Sequence, residues 1–104
     1  MMRVKLLACV ALLAFAAGCQ NHYNVTFVNM TSEDLTVTMQ GPGKIEPSPP
    51  AMPLARQGGR GMFKVAVNPN DLPANFAWHA NSHEGSVVVQ KDSSKELIVN
   101  IRRR

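Results

Sequence analysis

Tyr23-Asn24-Val25-Thr26-Phe27 and Leu35-Thr36-Val37-Thr38-Met39 decide the fold, because in both stretches apolar and polar side chains alternate with a period of two. That is the period of a β-strand with one face buried and one face wet. Thr31-Ser32-Glu33-Asp34 lies between them as a polar turn whose side chains can satisfy their own backbone, so the pair is a hairpin candidate. Further along, Phe63, Val65 and Val67 form a third strand, ended by Asn68-Pro69-Asn70-Asp71, where the proline cannot donate to a ladder. Phe76, Trp78 and Ala80 form a fourth. Val87 to Val89 is apolar on both faces, as a central strand would be, and Leu97, Val99 and Ile101 complete the set after the turn Asp92-Ser93-Ser94. Six short strands without helical periodicity predict a small antiparallel β-sandwich, loosely immunoglobulin-like, with Trp78 as core anchor and a small closed β-barrel as the alternative.

One segment departs from this rhythm. Gly41 to Gly61 is 21 residues long and lacks strand alternation. Pro47, Pro50 and Pro53 recur every third residue, with Pro49 among them, which predicts a polyproline II rod. Arg56 to Gly61, with three glycines, reads as flexible. A loop this long is either a recognition element or a strap crossing from one sheet to the other, and the strap is the preferred reading. A short edge strand around Lys44 to Glu46 also fits the sequence.

The N-terminus carries a different signal. Arg3 and Lys5 precede an almost unbroken apolar run from Leu6 to Phe15, and Ala16-Ala17-Gly18 sets three small residues before Cys19. The stretch from Leu6 to Gly18 is 13 residues, against about 20 for a bilayer-spanning helix. This segment resembles the export signal and lipobox of bacterial lipoprotein precursors. The resemblance implies removal of residues 1–18, diacylglycerol and palmitate on Cys19, a tether at residues 19–22 and a folded domain at 23–104. Because Gln20 is not aspartate, it also implies the outer membrane of a bacterial cell envelope. Cleavage as an ordinary signal peptide is the alternative, since Ala14-Phe15-Ala16 also offers small residues.

With Cys9 in the removed peptide and Cys19 under lipid, the domain has neither a free thiol nor a disulfide. Eighty-six residues suffice for one domain with a modest core. Loss of Arg3 and Lys5 leaves 9 basic and 7 acidic residues, a balance that argues against nucleic acid as a partner.

If six strands reverse direction at every connection, the long loop, the His79 to Gly85 turn and the C-terminal tail share one end of the domain with Cys19. Arg56, Arg60, Arg102, Arg103 and Arg104 would then face anionic headgroups. Glu33, Asp34, Asp71, Lys91, Asp92 and Lys95 would occupy the other end. A seventh strand in the long loop would reverse this parity and send the tail to the far end.

Signatures of catalysis are missing: the sequence has no Gly-x-Ser-x-Gly, no phosphate loop opening a helix and no His-Glu-x-x-His. The chain reads as no enzyme and as needing no cofactor beyond the covalent lipid. His79, His83 and Glu84, with His22, are candidate zinc or copper ligands by chemistry, set against ordinary turn histidines by spacing. Met30, Met39, Met52 and Met62 read as core filling and chance rather than copper ligands. Asn24-Val25-Thr26 and Asn29-Met30-Thr31 match glycosylation sequons but read as strand threonines. The expected function is a membrane-tethered binding or structural module with an envelope protein or glycan as partner. The alternatives are a periplasmic metal-binding module and a small hydrolase, which would need a concave polar site.

Overall fold

The computed structural model describes residues 20–103; the expected signal peptide at 1–18, Cys19 and Arg104 lie outside them. Eight strands are found there: β1 (Asn21–Asn29), β2 (Leu35–Gln40), β3 (Lys44–Glu46), β4 (Ala51–Leu54), β5 (Gly59–Val67), β6 (Ala74–Ala80), β7 (His83–Val89) and β8 (Glu96–Ile101). They form two four-stranded sheets, β3-β5-β1-β8 and β4-β2-β6-β7. The fold is the expected sandwich. Both sheets keep free edges, so it is not a closed barrel, and no cysteine falls among the described residues.

The alternation that identified the strands also builds the core. Tyr23, Val25 and Phe27 of β1 and Phe63, Val65 and Val67 of β5 face Leu35, Val37 and Met39 of β2 and Phe76 and Trp78 of β6, all buried. Phe27 sits at the centre, 5.6 Å from both the Phe63 and Trp78 rings in edge-to-face geometry. Such pairs add about 0.5–1.5 kcal/mol to the burial of the rings themselves. Trp78 is the anchor it was expected to be, 8% exposed.

Three local expectations are corrected. First, β1 and β2 belong to different sheets, so Thr31 to Asp34 is an arch and not a hairpin turn. The cause is a buried polar knot. Asn29 donates from Nδ2 to the carbonyls of Glu33 (2.8 Å) and Leu54 (3.1 Å), while its Oδ1 accepts from the Thr31 N–H and hydroxyl. These bonds turn the chain over the end of the core. Second, Val87 to Val89 is an edge strand, not a central one, with Val88 49% exposed opposite Asn75 on the outer surface.

Third, besides the short edge strand offered at Lys44 to Glu46, which is found as β3, the long loop holds a second strand, β4, that was not expected. Residues 47–50 cross between the sheets, as a strap would, but the three prolines do not share one rod: Pro53 lies within β4 opposite Thr36. β4 is an edge strand, where a missing N–H leaves no ladder bond unmade. Arg56 to Gly58 is a tight turn, with Gln57 at φ 56° and Gly58 at φ 105°, and Gly59 to Gly61 already belongs to β5.

These two short strands change the parity. β3 is antiparallel to β5 and β4 to β2, so both run in the direction of β1 and together make one passage across the domain. Seven passages result, and β8 runs parallel to β1, with Glu96 beside Asn24 and Ile101 beside Asn29. The set is therefore antiparallel except for this pair. Arg102 and Arg103 leave β8 at the end far from the start of β1. Arg56, Arg60 and the Asn81-Ser82 turn lie at that far end too, whereas Asp71, Lys91, Asp92 and Lys95 lie at the near end, the reverse of the expected arrangement.

Candidate functional surfaces

At the near end, β1 begins at Asn21, so Asn21 and His22 of the expected tether are strand residues. A small hollow of about 170 Å³ is lined there by Gln20, His22, Lys44, Glu46 and Lys64. Lys95 places its ammonium 4.4 Å from the centroid of the Tyr23 ring, and the Tyr23 hydroxyl donates to the Gln90 carbonyl at 3.3 Å. Basic and acidic side chains are balanced here.

The far end is richer in arginine. Arg56 grips Asp34 through two contacts of 3.2 Å, from Nε to Oδ1 and from Nη2 to Oδ2, and its backbone N–H adds a third at 3.0 Å. Hydrogen bonding from Arg56, side chain first and backbone second, holds the Asp34 carboxyl below its ordinary value, and the same pair raises Arg56. Beside it an open groove of about 630 Å³ runs past Leu35, Pro53, Leu54, Arg60 and Asn81. Arg56 is thus committed to an internal ion pair.

The histidine cluster separates. The turn is only Asn81-Ser82, with Asn81 at φ 56°, and His79 stands opposite Glu84 while His83 stands opposite Ala80. Alternation therefore puts His79 and Glu84 on the outer face, their Nδ1 and Oε1 3.5 Å apart, and turns His83 to the other face. His22 belongs to the other sheet at the other end. Among the described residues no group of three or more His, Cys, Asp or Glu side chains converges on a point.

The two outer sheet faces differ in chemistry. On the β2-β6 sheet, Thr36, Thr38, Gln40, Asn75, His79, Glu84 and Ser86 make a polar face. On the β1-β5 sheet, register sets Met62, Thr26 and Ile98 side by side in one row, with Arg60, Val28 and Asn100 in the next row toward the far end. Ile98 is 64% exposed and Met62 41%, so two of the four exposed large apolar side chains of the described residues share this face, and Met30, 48% exposed, follows directly on the end of β1. Sequence reading missed this. Met30, Met62 and Ile98 are far apart in the chain, and only the pairing of β5 and β8 on either side of β1 brings them together.

The edges differ as well. β3 is three residues long and β4 carries Pro53, while β7 and β8 run seven and six residues without proline. No protein-family model, curated protein or solved structure matches this chain, so its surfaces are read on their own chemistry.

Proposed function

We propose that the chain is a membrane-tethered, non-catalytic lipoprotein of the bacterial cell envelope, a binding or structural module held at the outer membrane by acyl chains on Cys19. The observation that carries this reading is the run Ala16-Ala17-Gly18-Cys19 standing only two residues before Asn21, the first residue of β1. Two residues of extended chain reach roughly 7 Å. A domain joined so closely to an acylated cysteine stays against the bilayer, without a stalk. Each acyl chain contributes about 0.8 kcal/mol per buried methylene, so two or three chains make the attachment effectively permanent. Gln20 in place of aspartate favours the outer membrane, and an envelope protein or glycan is the partner class that fits such a module.

Mass analysis of the mature N-terminus tests the reading. The expected chain begins at Cys19 and carries the added mass of diacylglycerol and an amide-linked fatty acid, and Cys19→Ala accumulates as unprocessed precursor. A mature chain that begins elsewhere, or one without acyl mass, overturns it.

A further inference from the structure

The far-end groove and the β7 and β8 edges leave their occupants unspecified, whereas one sheet face specifies its own. We infer that the outer face of the β3-β5-β1-β8 sheet is a docking surface for an anionic lipid bilayer, on which the domain lies side-on. The inference rests on the Cys19 anchor proposed above and adds the orientation that the anchor alone leaves open.

Three observations converge on it. Met62 and Ile98 flank Thr26 in one cross-strand row, and the exposed Met30 follows directly on the far end of β1, which gives a cluster of exposed apolar side chains in the middle and far half of the sheet. Arg60 of β5 and the exposed Arg102, which directly follows β8, border that cluster on its two sides. The acidic residues of this face lie nearer the other end, where Glu46 stands opposite Lys64 and Glu96 accepts a 2.6 Å hydrogen bond from Asn24. Apolar side chains rimmed by arginine suit the boundary between headgroups and acyl chains of an anionic membrane. β1 is a central strand of this same sheet and begins two residues after Cys19, so the anchor holds the near end at the bilayer, and of the two faces the apolar, arginine-rimmed one is the one suited to lie on it, with the polar face outward. The arginines would then reach headgroups from the sheet's flank, not from the end of the domain.

The test uses the full lipidated protein reconstituted in anionic vesicles that carry a quencher at the acyl-chain boundary. The acylated Cys19 is the only cysteine of the mature chain, so Met62→Cys, Ile98→Cys and Thr38→Cys each introduce one thiol for a fluorophore. The expected result is quenching at positions 62 and 98 and none at 38, with the quenching lost in zwitterionic vesicles and in Arg60→Gln/Arg102→Gln. Protein retained on the vesicles with positions 62 and 98 as unquenched as 38 overturns the inference and leaves the face for a protein partner. Protein that is not retained and carries no acyl mass overturns the anchor reading instead.

Discussion

Asn29 shows how much one side chain contributes to this arch. It is fully buried, and both ends of its amide are bonded, to Glu33, Leu54 and Thr31, while the backbone N–H of Gly58 reaches the Asn29 carbonyl at 2.7 Å. Asn29→Ala leaves the Leu54 carbonyl and the Thr31 N–H without their partner in a buried site, while the Glu33 carbonyl keeps the Thr31 hydroxyl. Each buried group left unmade costs about 1–3 kcal/mol, and partial relaxation makes roughly 2–4 kcal/mol the expected loss, read as a lower urea midpoint at unchanged m-value. The sequon at Asn29 is also explained: its amide is occupied inside the fold. Asp34 gives a second prediction. Its folded-state pKa lies below 3.8, so the Arg56 pair contributes stability above that pH and loses it as acid carries the pH down through the lowered value. Carboxyl NMR titration of Arg56→Gln should move the Asp34 midpoint up toward 3.8; a midpoint that stays put would mean that Arg56 is not the cause.

At the scale of elements, the β6-β7 hairpin shows what period-two reading captures and what escapes it. Trp78 was legible as a core residue because it alternates with Asn75, Ala77 and His79. Its neighbour was not. Gly85 stands directly opposite, and a Cβ there would come 2.8 Å from the indole, so the glycine lets the ring spread toward the sheet edge. Gly85→Val is expected to displace Trp78, costing about 1–3 kcal/mol by overpacking and red-shifting tryptophan emission as the ring gains solvent. An unshifted spectrum at full stability would show that β7 yields instead. The same limit explains the loop. β3 and β4 are three and four residues long, too short to display much alternation, and Pro53 inside β4 reads as a breaker until the pairing shows that β4 is an edge. Val87 to Val89 misled for the converse reason, since composition cannot tell a strand buried on two faces from an apolar edge.

For the whole molecule, parity decided more than any residue did. The two short strands add one passage, and that passage alone moves the C-terminal arginines to the end away from β1's first residue. The run Ala16-Ala17-Gly18-Cys19, on which the proposed anchor rests, stands out in the sequence because it is contiguous, whereas the apolar and basic face does not, being assembled from separate strands. Its weakness as a binding surface leads to a last prediction. Three partly exposed apolar side chains and two arginines, at ~25 cal/mol per Å² and ~1 kcal/mol each, supply roughly 4–6 kcal/mol, a dissociation constant between about 1 mM and about 0.05 mM. Such a face cannot recruit the domain from solution, but beside a permanent tether the local concentration is itself millimolar or higher, enough to hold it docked. Protease release of the folded domain between Cys19 and β1 should therefore free it from anionic vesicles at physiological salt. A long Gly/Ser insertion after Gln20 should keep the protein on the vesicles yet reduce quenching at positions 62 and 98, since effective concentration falls as the linker lengthens. Released domain that stays bound would instead require a face far stronger than Met30, Met62, Ile98 and two arginines can provide.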